Sequence, residues 1–173
     1  MIEGLTIRPL VVTDLPAYKQ MRDEMLLAHP EAFTSDAAAE KRKEPADYLH
    51  RLGIDRRGGG HFLLGAWQGE HLVGAIGCER ELRLKVQHIG HVIGMMVRSQ
   101  ARGRGVGREL LEACIAEARQ TPGLEMLTLT VTVGNAAAIR LYAGRGFVAY
   151  GTLPRALRLG SVYHDKLHMA LAL

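Results

Sequence analysis

The segment from His91 to Arg119 reads HVIGMMVRSQARGRGVGRELLEACIAEAR. It begins with a mostly apolar run of branched and sulfur-containing side chains, which is typical of a buried strand. A turn follows in which glycine occupies alternate positions, at Gly103, Gly105 and Gly107. Beyond the turn, apolar residues recur at helical spacing. The segment therefore predicts a strand, a glycine-rich turn and a helix.

This turn predicts a binding site for a phosphate or a diphosphate. Glycine lets backbone N–H groups approach one point closely, because no Cβ stands in the way. The start of the helix adds unpaired N–H donors and a partial positive charge, which together attract anions. Full positive charges come from Arg102, Arg104 and Arg108.

Three kinds of phosphate-binding turn can be compared with this one. A nucleoside triphosphate loop ends in Gly-Lys-Ser/Thr, whereas Gly107 is followed by Arg108 and Glu109. A dinucleotide fingerprint has the spacing G-x-G-x-x-G, whereas the spacing here is G-x-G-x-G. Residues 100–105, QARGRG, match the Q/R-x-x-G-x-G/A signature of the GNAT acyltransferases, which holds the pyrophosphate of coenzyme A. The segment resembles that superfamily.

Two later segments extend the resemblance. Residues 135–147, NAAAIRLYAGRGF, are similar to the second GNAT signature, N-x-x-A-x-x-L-Y-x-x-x-G-F. Residues 163–169, YHDKLHM, resemble the last central strand of the superfamily, often Y-x-D-x-x-x-M. The likeness is strong from residue 94 to residue 147 and weak before residue 62.

The order of elements along the chain is β-α-α-β-β-β-α-β-α-β-β. A helix separates the strands Ile89–Val97 and Met126–Val133, so these two are expected to pair in parallel. The resemblance implies the GNAT fold, a mixed α/β (α+β) architecture with a mostly antiparallel sheet of about seven strands and about four flanking helices. It also implies a V-shaped splay between the two central parallel strands. The length of 173 residues predicts a single N-acetyltransferase domain over residues 1–173.

Periodicity and turn residues predict the remaining elements. A first helix is expected to start after Thr13 or Asp14 and to end at Pro30. A charge-rich second helix is expected near Glu44–Leu52. The other predicted ranges are a flexible basic loop at 56–60, a hairpin of strands 61–67 and 72–80, late strands at 147–150 and 162–171, and a loop at 152–161 between them.

Acyl transfer from a thioester to an amine needs a neutral amine, donors to the carbonyl oxygen and a proton for the departing thiolate. By resemblance, Tyr142 is the proton donor, while a packed aromatic residue is the alternative. Many relatives carry a glutamate base on the central strand, but this strand has none, so His91 is the predicted base. The alternatives are His88, Glu79 and water. The oxyanion donor is expected among the backbone N–H groups of Gly94–Met96, where the family has a bulge.

The resemblance implies acetyl-CoA as the cofactor. Asn135 also suits a helix N-cap, and an exposed surface arginine is the alternative interpretation of Arg145. The residues expected to bind the cofactor are Met96, Val97, Arg102, Gly103, Arg104, Gly105, Val106, Gly107, Arg108, Asn135, Ala138, Tyr142 and Arg145.

The acceptor is expected to be a primary amine of a small molecule or peptide. Its predicted binding residues are Phe33, Ser35, Glu79 and Tyr163. Amino acids, polyamines, antibiotics and protein N-termini all remain open as acceptors. A non-catalytic coenzyme A-binding module of the same fold is the alternative function.

Composition argues against other classes of protein. A net charge of +4 suits an anionic cofactor, and 5% aromatic residues with scattered arginines do not favour a DNA-binding protein. No signal peptide and no membrane-spanning stretch is recognised.

Cys78 and Cys114 are expected to be reduced core residues of a cytoplasmic protein, which favours direct transfer in a ternary complex over an acyl-cysteine. No metal site is predicted, because His164 and His168 have a spacing that suits a helix better than a strand. Dimerisation is common in the superfamily that the chain resembles.

Overall fold

The computed structural model describes residue 2 and residues 4–54 and 59–173. Its strands are β1 (Leu5–Pro9), β2 (Phe62–Gln68), β3 (His71–Arg80), β4 (Ile89–Val97), β5 (Met126–Thr132), β6 (Val148–Leu159) and β7 (Val162–Ala172). Within that part of the chain the α-helices are α1 (Leu15–Ala28), α2 (Ala37–Lys41), α3 (Val106–Gln120) and α4 (Ala136–Ala143). The longest 3₁₀ helix is Pro45–Leu52, and a shorter one is Pro30–Ala32.

One seven-stranded sheet has the order β1-β2-β3-β4-β5-β7-β6. Strands β4 and β5 pair in parallel, whereas the other neighbouring strands pair antiparallel. The parallel pairing covers only Ile89–His91 against Met126–Thr128. Beyond these residues the two strands diverge, so their later N–H and C=O groups do not bond to each other. The predicted mixed sheet and its V-shaped splay are confirmed.

Two buried clusters hold helices against the two faces of the sheet. On one face, α3 contributes Leu110, Leu111 and Cys114 to a cluster that also contains Ile76 and Leu127 of the sheet. The side chains of α3 recur at helical spacing on the face that meets the sheet, as the sequence predicts.

On the other face, α1 contributes Tyr18 and Met21, and the 3₁₀ helix Pro45–Leu52 contributes Tyr48. These pack against Ala75 of β3 and Met96 of β4. One face of the sheet is thus covered by α3 and the other by α1, and β4 contributes buried residues to both clusters.

Two predictions from local pattern were wrong. The predicted loop at 152–161 is mostly strand, because β6 runs from Val148 to Leu159 despite Pro154. An edge strand tolerates proline, since one side of its backbone needs no partner. The register of β6 on β7 is irregular between Leu153 and Leu157, where Arg155 adopts a φ of 54°. The second predicted helix is a 3₁₀ helix rather than an α-helix, and α2 was not predicted at all.

Other predictions are confirmed. The hairpin of β2 and β3 forms, and α1 starts after Asp14. Cys78 and Cys114 are free and buried. Residues 56–58 of the predicted basic loop lie outside the described residues. Among those described, no helix is long and apolar enough to cross a membrane.

Candidate active site

A cleft of about 750 Å³ opens where β4 and β5 diverge. This is the usual size of a site for a small molecule or cofactor. Residues 92–97 of β4 form one wall and residues 129–132 of β5 form the other. The glycine-rich turn and α4 lie at one end of the cleft, and residues 29–33 lie at the other, open end. The cleft between the diverging strands therefore connects two ends that differ in their chemistry.

The glycine-rich turn has the backbone conformation that its sequence predicts. Gly103 and Gly105 have φ of 73° and 85°, in the left-handed region that favours glycine. No neighbouring atom lies within 4 Å of a Cβ built on Gly103, so the space beside it is open. Arg102 Nε donates to the carbonyl of Val97 at 3.1 Å and closes the turn.

The start of α3 points unpaired donors toward this turn. The Glu109 N–H donates to the Gly105 carbonyl at 3.1 Å, which makes the first intrahelical hydrogen bond. The N–H groups of residues 106–108 precede that bond and have no partner within the helix. Such donors, together with the helix dipole, suit an anion such as a diphosphate.

Helix α4 places two predicted residues on the cleft. Asn135 is its N-cap, and Asn135 Oδ1 accepts from the Ala138 N–H at 3.1 Å. The cap therefore uses the oxygen of the Asn135 side chain and leaves its NH₂ group. Tyr142 is 7% exposed and lines the cleft. Burial, with a smaller contribution from Cys114, raises the pKa of the Tyr142 hydroxyl to about 12.

The wall formed by β4 contains the expected bulge. Gly77 pairs with Ile93 and Ala75 pairs with Met96, so two residues of β4 stand opposite one residue of β3. Gly94 has a φ of 59° in this bulge, a conformation that a residue with Cβ rarely adopts. The bulge turns the backbone of β4 at the point where the cleft opens.

Nearly all of the residues predicted to bind the cofactor line this cleft. The exceptions are Arg104 and Arg145. Arg145 Nε lies 2.7 Å from Glu112 Oε1 of α3, so this guanidinium already has a carboxylate partner. The cofactor roles of all of the residues predicted to bind it stay predictions.

His91, the predicted base, lies where β4 and β5 are still paired and is not among the residues that line the cleft. His91 Nδ1 lies 2.7 Å from Thr128 Oγ1, and His91 Nε2 lies 3.1 Å from Glu81 Oε1. The hydrogen bond from His91 lowers the pKa of Glu81. Glu79 pairs with His91 across the strands and is also absent from the lining. Their catalytic roles stay predictions that this placement does not favour.

The structure brings other titratable groups to the open end of the cleft. His29, Glu31 and His164 line it. His29 Nδ1 lies 3.9 Å from Glu31 Oε1, and His29 Nε2 is buried without a hydrogen-bond partner among the described residues. No motif marks His29 in the sequence. His164 belongs to the third family segment, but from the sequence it is considered only as a metal ligand.

The residues predicted to bind the acceptor are divided. Phe33 lines the cleft. Ser35 accepts a hydrogen bond from Arg22 Nη2 at 2.8 Å, and neither it nor Tyr163 lines the cleft. Tyr163 is 41% exposed, with the guanidinium carbon of Arg155 4.0 Å from its ring centroid.

A buried polar cluster supports the segment that carries Phe33. Arg22 Nε donates to Glu40 Oε2 at 2.8 Å, and the Tyr48 hydroxyl donates to the same oxygen at 2.6 Å. Burial opposes ionisation of Glu40, but hydrogen bonds from Lys43, Tyr48 and Arg22 outweigh burial and lower its pKa to about 2. The cluster joins α1, α2 and the 3₁₀ helix Pro45–Leu52.

A second polar chain fixes Glu31 to the sheet. Lys166 Nζ donates to Thr132 Oγ1 at 2.9 Å, and Thr132 Oγ1 donates to the Glu31 carbonyl at 2.6 Å. Lys166 is 6% exposed, and burial lowers its pKa. The open end of the cleft is therefore built from α1, β5 and β7 together.

The model of the acetyltransferase (GNAT) family matches residues 18–147. The chain belongs to this family. The L-amino acid N-acetyltransferase AaaT of Escherichia coli is 28% identical over 167 residues, which are 96% of each chain. An L-methionine sulfoximine/L-methionine sulfone acetyltransferase of Pseudomonas aeruginosa is 41% identical over 59 residues, 34% of each chain.

A mycothiol acetyltransferase of Salinispora arenicola is 32% identical over 151 residues. Those residues are 86% of this chain but 46% of the relative, so the chain spans about half the length of that relative.

Solved structures of GNAT proteins have the same fold. A GNAT acetyltransferase from Streptococcus pneumoniae has a TM-score of 0.88 at 23% identity, covering 98% of this chain and 99% of that chain. A Salmonella typhimurium protein, solved with its cofactor acetyl-CoA, has a TM-score of 0.85 at 22% identity. That alignment covers 99% of this chain and 95% of the Salmonella chain. The predicted superfamily and fold are confirmed.

Proposed function

We propose that the chain is an N-acetyltransferase that moves an acetyl group from acetyl-CoA to the primary amine of a small acceptor. The observation that carries this proposal is the cleft between the diverging strands. A diphosphate site lies at one end, titratable groups lie at the other, and the buried hydroxyl of Tyr142 lines the same cleft. Transfer is direct, within a ternary complex of enzyme, acetyl-CoA and amine.

The residues of the cleft fit acetyl-CoA. The open backbone at Gly103 and the free N–H groups at the start of α3 suit its diphosphate, with Arg102 and Arg108 beside them. The unpaired strand edges of β4 and β5 suit the amides of its pantetheine arm, because those amides need donors and acceptors when buried. The donor supplies an activated acetyl thioester.

Tyr142 is the proton donor in this mechanism. Bound acetyl-CoA would supply the thioester whose C–S bond breaks as the acceptor nitrogen forms its C–N bond to the acetyl carbon. Tyr142 would give its phenolic proton to the departing sulfur and would recover a proton from the acceptor nitrogen, which must lose one to become an amide. Because burial raises the pKa of Tyr142 to about 12, the hydroxyl stays protonated at neutral pH and is available to donate.

Backbone N–H groups of the bulge at Gly94–Met96 stabilise the charge that develops on the carbonyl oxygen. Donors that are already oriented before the reaction make this stabilisation large. The proton of the acceptor ammonium leaves through the open end of the cleft, where His29, Glu31 and His164 can accept it directly or through water.

The acceptor we propose is an amino acid or a compound that resembles one. Two relatives support this choice by name, the L-amino acid N-acetyltransferase of E. coli and the methionine sulfoximine acetyltransferase of P. aeruginosa. The first of these aligns over nearly its whole length.

The test is release of free thiol from acetyl-CoA with a panel of amines. We expect turnover with at least one L-amino acid. Tyr142→Phe should lower kcat by roughly 10²- to 10⁴-fold with little change in coenzyme A affinity, which is the usual contribution of a general acid. Coenzyme A binding without thiol release from any amine would reject the enzyme and favour a binding module.

We further propose that the chain forms a homodimer through the edge strand β6. Along β6 the apolar residues Val148, Tyr150 and Leu153 are 69%, 63% and 53% exposed. An exposed apolar edge strand is a template for pairing with another chain. Sedimentation velocity that gives a monomer at micromolar concentration would reject this assembly. A cytoplasmic location stays a prediction, which the two free, buried cysteines support.

A further inference from the structure

Arg51 lies in the last turn of the 3₁₀ helix Pro45–Leu52 and is half-buried. It does not itself line the cleft, but it packs against Gly94, which does. Its Nη1 donates to the Tyr18 hydroxyl at 2.9 Å, and its guanidinium carbon lies 5.7 Å from the ring centroid of Tyr48. Arg51 Nε is buried and has no hydrogen-bond partner within the described part of the chain. The guanidinium therefore contacts the Tyr18 hydroxyl and the Tyr48 ring, but these contacts leave its Nε without an acceptor.

Several other arginines that are at least partly buried are paired with carboxylates. Arg22 pairs with Glu40, Arg98 with Glu24 and Arg145 with Glu112. Among residues 2, 4–54 and 59–173, Arg51 has no carboxylate within ion-pair distance. A partly desolvated guanidinium without a counter-ion is unfavourable, and its donor geometry matches a carboxylate.

The position of this guanidinium is the decisive observation. A Cβ built on Gly94 would lie 3.3 Å from Arg51 Nη1 and 3.6 Å from the Tyr18 hydroxyl. Gly94 lies in the bulge of β4 and lines the cleft. The unpaired charge of Arg51 thus lies against the backbone that, in the proposed function, stabilises the reacting carbonyl.

We propose that Arg51 binds the carboxylate of the acceptor, and that the acceptor is an α-amino acid with a free carboxylate. This inference rests on the proposed N-acetyltransferase function. In an α-amino acid the amine and the carboxylate share one carbon, so an amine that reaches the carbonyl at Gly94 brings its carboxylate to the same place. Arg51 also disfavours polyamines, because a second cation would lie beside the guanidinium without a compensating anion.

The test compares L-amino acids with the corresponding L-amino acid amides, which keep the amine and the side chain but lack the charge. For any amino acid that is acetylated, we expect kcat/KM to exceed that of its amide by roughly 10- to 100-fold, the usual range for a hydrogen bond to a charged group. In Arg51→Met this preference should disappear, with kcat/KM for the amide changing less than roughly 3-fold.

Two further variants separate recognition from structure. Arg51→Lys keeps the charge but not the two-pronged geometry, so it should retain part of the preference for the acid. Arg42→Met removes an exposed arginine from the same part of the chain and should keep the full preference for the amino acid over its amide. Because Arg51 also contacts Tyr18 and Tyr48, Arg51→Met could lose activity through a folding defect. Melting temperatures of the variants, and the ratio of acid to amide kcat/KM in Arg51→Lys, distinguish such a defect from the loss of recognition.

The outcomes are distinct. An enzyme that acetylates amides or polyamines as well as amino acids leaves the proposed function standing and overturns the carboxylate site. A full acid preference in folded Arg51→Met and Arg51→Lys overturns the role of Arg51. An enzyme that acetylates no amine overturns both the proposed function and this inference.

Discussion

Replacing Glu40 by Gln tests how the segment at the open end of the cleft is held. Glu40 is 5% exposed and accepts hydrogen bonds from Arg22 and Tyr48, with Lys43 2.5 Å away. Glutamine keeps the size of the side chain but removes the charge. The buried guanidinium of Arg22 then has no carboxylate partner, and a buried charge without a counter-ion is strongly destabilising.

The magnitude follows from the pKa of the carboxyl group. Its pKa falls from an ordinary value of 4.5 to about 2, and one pKa unit corresponds to about 1.4 kcal/mol, so the charge of Glu40 contributes roughly 3 kcal/mol at neutral pH. Because the folded-state pKa is the lower one, this contribution is present above pH 4.5 and is lost as pH falls toward 2. The linkage between protonation and folding leaves about 1.4 kcal/mol of this stabilisation at pH 3.

The assay is urea denaturation of the unsubstituted chain and Glu40→Gln between pH 7 and pH 3. We expect a loss of roughly 3 kcal/mol at pH 7, or roughly 6–12 °C in Tm, and less than half of that loss at pH 3. Glu70→Gln, an exposed glutamate in the turn between β2 and β3, is the control and should change stability by less than about 0.5 kcal/mol. A loss at pH 7 below about 1 kcal/mol, or an equal loss at both pH values, would refute the reasoning.

Two other predictions concern the cap of α4 and the buried cysteines. Asn135→Ala should cost about 1 kcal/mol of stability by urea denaturation, because Asn135 Oδ1 caps α4, whereas Asn135→Asp should keep the cap; an equal loss in both variants would contradict the capping role. Iodoacetamide should leave the activity of the folded enzyme unchanged and label both cysteines only after unfolding, because burial raises the pKa of Cys78 to about 12 and also raises that of Cys114. If labelling of the folded chain abolished activity, an acyl-cysteine intermediate would be favoured over direct transfer.

The cofactor end could be predicted from the sequence because local residues build it. Gly103 and Gly105 need only their own backbone conformations and the start of α3 to expose donors. Asn135 and Tyr142 lie on the same short helix, so one signature fixes their spacing. The bulge was expected from resemblance to the family, and Gly94 suits the backbone conformation found there.

The acceptor end could not be predicted in the same way, because its residues are distant in sequence. His29 follows α1 and His164 lies on β7. Arg51, which we propose binds the acceptor, lies in the last turn of a 3₁₀ helix where an α-helix was expected. Their meeting depends on Glu40 and Thr132, whose partners lie on other elements. No spacing in the chain encodes these contacts.

The placement of His91 shows why strand position alone does not identify a base. The sequence puts His91 on the central strand, close to Gly94, and the cleft does open on that strand. A gap between parallel strands can only begin after their last paired residues, and His91 still pairs with Thr128. Its ring nitrogens therefore face Thr128 and Glu81 rather than the cleft. A base must lie beyond the point of divergence, so the residues that line the open end, His29 and His164, are better placed to act on an acceptor than any residue that precedes Val92 on β4.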